Sequence, residues 1–130
     1  MVRIGRNNDG GYLVSLSDIK KSNLLIGLGI GDDWSFESDF EKYNNCEVIA
    51  FDASLDFLFL LKRIIIETIK KLLNFNSLKK LYSYKNFFRG KRKHIKKFVG
   101  LNSSHKMFYT FQEVINRAWA NHKKIFFFVT

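Results

Sequence analysis

The chain has 130 residues, of which 46% are hydrophobic and 16% aromatic. A single domain of this length removes roughly 65–70% of its unfolded surface from water, and this apolar content excludes an intrinsically disordered chain. The net charge of +10 is unevenly spread: residues 1–61 carry five Lys and Arg against ten Asp and Glu, whereas residues 62–130 carry seventeen against two.

The opening VRIGRNNDGGYLVS sets two short β-prone runs, residues 2–4 and 12–15, on either side of Asn-Asn-Asp-Gly-Gly. Asn, Asp and Gly tolerate positive φ, so this pattern predicts a β-hairpin. Asp18 reads as a helix or turn cap, followed by a polar connector. Residues 24–30 (LLIGLGI) are apolar without period-2 alternation, the mark of a strand buried on both faces of a parallel sheet. Ser35 is placed to cap a helix with Phe36, Phe40 and Tyr43 at helical spacing. Glu37 and Asp39 lie in its first turn, at the positive end of the dipole. EVIAFD (residues 47–52) then reads as a second core strand closing on an acid, and residues 24–52 have the length of a βαβ unit.

Residues 55–75 form the longest helical pattern. Leu58, Leu61, Ile65, Ile69 and Leu72 recur at three and four residues, which predicts an apolar stripe packed on the sheet rather than laid on a membrane. Residues 76–93 have no clean period and read as a loop or frayed helix, and residues 97–101 (KFVGL) as a third strand before a polar turn at 102–105. Thr110, with Glu113 three residues later, predicts a capping box opening the helix TFQEVINRAWANH. KIFFFVT (residues 124–130) is a last buried-type strand. This alternation of strands and helices predicts one domain over residues 1–130, of α/β class, with a doubly wound, mainly parallel sheet and an N-terminal hairpin.

The chemistry concentrates in LLIGLGIGDDWSFESDF, residues 24–40. A strand ending in glycines before a helix lets a ligand approach the backbone, with the helix N–H groups facing it. Asp32 stands where a dinucleotide fingerprint has its third glycine, and an acid there repels a pyrophosphate; no Gly-Lys-Ser/Thr follows, which disfavours a triphosphate. Asp52, at the tip of the next strand, is placed to accept hydrogen bonds from ribose hydroxyls. A ligand with a ribose, a positive charge and no phosphate satisfies all three constraints, and S-adenosylmethionine is such a ligand.

Elsewhere the signals are weak. Cys46 is the single cysteine, so an intrachain disulfide is excluded, and no His or Cys near it in sequence points to a metal site. His94, His105 and His122 read as surface histidines, and Trp34 and Trp119 as core or cleft aromatics. No signal-type h-region and no run of roughly 18 apolar residues is present, so the expectation is a soluble, cytoplasmic protein without a membrane span.

Three segments in order, RIGRNNDGGYLV, LLIGLGIGDDWSFESDF and VIAFDAS, resemble the FkbM-type branch of S-adenosylmethionine-dependent methyltransferases, with the likeness strongest over residues 2–54. The resemblance implies a Rossmann-like sheet with the methyl donor at the tips of its first two strands. Gly27, Gly29 and Gly31 would form the cofactor loop, Asp33 and Trp34 the helix entrance, and Asp52 the ribose contact. Asp9, Gly10 and Tyr12 would stand near the site mouth. The acceptor would be a hydroxyl of a small molecule or sugar; catalytic residues are not assignable. Many such enzymes have an acid two residues before the first loop glycine, where this chain has Gly27. The family's sheet also continues past a fourth strand, so the expectation is a methyltransferase fold truncated after that strand, active or inactive. Two other functions fit the sequence: a nucleic-acid-binding module using the basic half, in particular RGKRKHIKK (residues 89–97), and a non-catalytic fragment.

Overall fold

The computed structural model describes residues 1–7, 11–55, 57–69, 75–100, 108–122 and 124–129. Strands β1 (Val2–Ile4) and β2 (Tyr12–Val14) pair antiparallel, with Ile4 opposite Tyr12. Helix α1 (Leu16–Lys21) follows where a connector was expected; Asp18 lies in its first turn and Ile19 anchors it in the core.

The frame is a four-stranded parallel sheet. Strand β3 (Leu24–Leu28) leads through helix α2 (Ser35–Tyr43) to β4 (Glu47–Phe51). Helices α3 (Phe57–Ile69) and α4 (Phe75–Phe87) then precede β5 (Arg92–Ile95). Strands β6 (Phe98–Gly100) and β7 (Phe108–Thr110) pair parallel in a separate ribbon, followed by helix α5 (Phe111–Trp119) and strand β8 (Ile125–Val129). The sheet order is β5-β4-β3-β8, so the chain moves outward from β3 through β4 to β5 and returns to pair β8 on the other side of β3. Such a reversal leaves a crevice beyond the carboxyl ends of the strands, the usual ligand position in open α/β sheets.

Alternation along the strands divides the core between two faces. On one, Leu25, Val48 and Phe128 pack with Ile4, Ile19, Phe36 and Phe40, and Ala50 with Leu60, Tyr84 and Phe87. On the other, Leu24, Ile26, Leu28 and Phe51 pack with Val114 and Ala118 of α5. Every residue of β3 is buried, as its unbroken apolar run predicts.

Several expectations change. Residues 75–87 form a full helix of their own, where the sequence reads as a loop or frayed helix from residue 76. The third strand of the main sheet is Arg92–Ile95, not residues 97–101, whose described part belongs to the β6–β7 ribbon. The apolar stripe of α3 does not enter the core: Leu58, Leu61, Ile65 and Ile69 are exposed, and Leu60 alone on that helix is buried among the described residues. Tyr43 and Trp119 are likewise exposed, Trp119 to 70%. The predicted polar turn at 102–105, His105 and Leu72 lie outside the described residues. No helix among the described residues is long and apolar enough to cross a membrane.

Candidate functional site

The loop between β3 and α2 is built from backbone that only glycine adopts readily. Gly29 has φ 76° and Gly31 φ 53°, in the left-handed region. A Cβ on Gly31 would meet open space, so its conformation, not crowding, calls for glycine there. The loop is tied to the tip of β4 twice. The Gly29 N–H donates to the Phe51 carbonyl at 2.9 Å, and the Gly31 N–H to Asp52 Oδ2 at 2.7 Å.

Asp52 is 3% exposed. Its Oδ1 accepts from the Ser54 N–H at 2.6 Å and the Ser54 hydroxyl at 2.5 Å. Burial alone would raise the Asp52 carboxyl, but hydrogen bonds from the Ser54 hydroxyl and from the N–H groups of Gly31, Ser54 and Leu55 outweigh it and hold the group below the usual carboxylate range. Asp52 therefore stands ionised between the loop and the start of the next segment.

At the helix entrance Ser35 is the first helical residue and not the cap, which is Trp34 without a side-chain cap bond, and Asp33 precedes it. Asp33 Oδ1 accepts from the Ser35 N–H at 3.0 Å, while its Oδ2 pairs with Arg6 at 3.2 Å, which brings the N-terminal hairpin to the loop. Asp32 pairs with Lys80 of α4, and the ammonium holds its carboxyl below the ordinary value. Trp34 is buried: its indole N–H donates to the Ser83 hydroxyl at 3.2 Å, and its ring meets Tyr84 edge-on at 5.7 Å. Between these groups lies an open groove of about 470 Å³, bordered by Arg6, Asp33, Trp34, Ser38, Lys80 and Ser83. Tyr12 packs edge-on against Phe128 at 4.9 Å, one strand over from Gly27, with which Phe128 is in register. Asp9 and Gly10 lie outside the described residues.

Two groups escaped the sequence reading. His94 is half-buried on β5, not a surface histidine. Its Nε2 lies 2.8 Å from the Asp52 carbonyl and its Nδ1 2.6 Å from the Tyr84 hydroxyl. A carbonyl can only accept, so Nε2 carries the proton, and in the neutral ring Nδ1 accepts from Tyr84. His122, too, is partnered, 3.4 Å from Glu47.

The second group is Glu37. It is 1% exposed, and neither carboxylate oxygen has a hydrogen-bond partner among the described residues. A Cβ built on Gly27 would lie 2.5 Å from Glu37 Oε1 and 3.3 Å from Ile30 Cγ2, so a side chain at position 27 would displace the Glu37 carboxylate. The acid that the resemblance places at position 27 is absent, yet a carboxylate fills that space from α2. Burial raises the Glu37 carboxyl from 4.5 to about 7, its own backbone N–H opposing this to a lesser extent and Asp33 adding to it. The sequence signal was a glycine within a strand of bulky residues, two positions before the first loop glycine.

The basic run is largely occupied within the chain. Arg92 pairs with Glu41 at 2.6 Å, Lys93 with Glu47 at 3.2 Å, Lys91 donates to the Asn45 carbonyl, and Lys97 sits 4.3 Å from the Tyr109 ring centre. No family model, no curated protein and no solved structure matches the chain.

Proposed function

We propose that the chain binds S-adenosylmethionine at the carboxyl tips of β3 and β4, on a Rossmann-like methyltransferase framework, and serves methyl transfer to a hydroxyl of a small molecule or sugar. The observation that carries this reading is the bond between the Gly31 N–H and Asp52 Oδ2, which joins the glycine loop at the end of β3, the strand beside which the order reverses, to an ionised acid at the tip of β4. That bond sets the Asp52 carboxylate beside the loop, where a ribose hydroxyl would replace one of the donors from which it now accepts. Gly29 and Gly31 leave the backbone open to close approach. Asp32 stands where a dinucleotide loop has its third glycine, and no Gly-Lys-Ser/Thr follows the loop, so neither phosphate-binding pattern is present.

When bound, the cofactor supplies a methyl group on positively charged sulfur, and an acid-lined loop favours that charge. Methyl transfer depends chiefly on holding donor and acceptor in line, so the chain's contribution is positioning. The nucleic-acid reading has less support, because Lys91, Arg92 and Lys93 each have an intramolecular partner.

Titration calorimetry with S-adenosylmethionine tests the proposal. Binding to the natural chain is expected, with affinity weakened about 10-fold or more in Asp52→Asn, the loss of one charge-assisted hydrogen bond. Absence of heat at millimolar ligand would refute it.

A further inference from the structure

Glu37 is the one buried acid in the described structure whose oxygens are both without partners. A buried carboxylate without a cation or hydrogen-bond donors is unfavourable and keeps its proton, and a cation brought beside it would take the place of that proton; an acid so placed next to a ligand loop is a functional-site candidate. Nothing described near the loop supplies that cation: Arg6 is held by Asp33 and Lys80 by Asp32. The carboxylate lies against Gly27 and Ile30, on the strand that runs directly into the glycine loop.

We infer that Glu37 is the receptor for the primary ammonium group at the amino-acid end of the nucleoside ligand. The inference rests on the function proposed above and assigns a residue to the part of the ligand that Asp52 does not reach. An ammonium group carries three donors and a full charge, so it can satisfy both Glu37 oxygens, whereas a neutral hydroxyl leaves one of them bare. Because position 27 must stay glycine to admit the carboxylate, the two residues form one recognition element built from a strand and a helix.

The experiment compares two probes by titration calorimetry on the natural chain and on Glu37→Gln. S-adenosylhomocysteine carries the amino-acid end, and 5′-methylthioadenosine has the same nucleoside without it. The expected result is that Glu37→Gln weakens S-adenosylhomocysteine about 10- to 100-fold, the range for a hydrogen bond to a charged group, and leaves 5′-methylthioadenosine unchanged. Unchanged 5′-methylthioadenosine binding also reports that the variant is folded. If the natural chain binds both probes and the substitution weakens both equally or neither, the Glu37 inference is overturned while the nucleoside reading stands. If the natural chain binds neither, both fall.

Discussion

The β3–α2–β4 unit and helix α3 are both rich in large apolar residues, yet they use them in opposite ways. In the first, Phe36 stacks on Phe128 at 3.6 Å, Phe40 is wholly buried, and the hairpin residue Ile4 closes the cluster. In the second, Phe59, Ile65 and Ile66 are exposed, and Ile69 is 75% exposed. Helix α3 is the more apolar of the two helices and yet the more exposed; what differs is the partner. Helix α2 connects two adjacent strands and is drawn across their face, whereas α3 packs mainly against α4. Burial is thus set by the connection a helix makes, and the enclosed unit is where the glycine loop and its acids are held.

Matched truncations should separate the two regions most widely. Phe40→Ala is expected to cost about 3–5 kcal/mol, a large side chain lost from a closed core, whereas Ile65→Ala should fall within about 0.5 kcal/mol of the natural chain. Urea unfolding midpoints measure both, and equal effects would mean that α3 is as enclosed as α2.

A smaller effect sharpens the contrast inside the enclosed unit, where Glu37 opposes stability. Its folded value of about 7 lies above the ordinary 4.5, so between these pH values the unfolded chain gives up a proton that the folded chain keeps. Stability from this group is present below about pH 4.5 and is lost as pH rises to 7, and a shift of this size corresponds to about 3 kcal/mol. Glu37→Gln removes the dependence. Relative to the natural chain, the variant should gain up to about 3 kcal/mol on going from pH 4.5 to pH 8, read from paired unfolding curves. A parallel pH dependence in the two proteins would show that the carboxylate is not buried as described. Stability gained together with ligand affinity lost is the signature of a group kept for function.

Features encoded locally were legible in the sequence. The continuous run of β3, the EVIAFD segment closing on an acid and the turn residues between β1 and β2 predicted elements that the structure contains. The Thr110–Glu113 capping box is present in full, with the Thr110 hydroxyl accepting from the Glu113 N–H and the Glu113 carboxylate accepting from the Thr110 N–H. Elements defined by distant partners were not legible. Helix α4 buries Ser77, Tyr84 and Phe87, a set without an apolar stripe to read. Strand β5, RKHI, looks like a solvated basic run because its polar side chains find their partners only after folding: Arg92 on Glu41, Lys93 on Glu47, and His94 between Tyr84 and the Asp52 carbonyl. The site divides in the same way. Gly29, Gly31 and Asp52 belong to a recognisable order along the chain, whereas Glu37 passed as an ordinary first-turn acid until α2 was laid against Gly27.

In the proposed function the glycine loop and the tip of β4 together hold a nucleoside. Amide-resolved NMR titration with S-adenosylhomocysteine tests it most directly. The prediction is that the Gly29, Gly31 and Ser54 resonances shift saturably while those of Val114 and Ala118 in α5 stay in place. Shifts confined to Arg92 and Lys93, or none at millimolar ligand, would contradict it.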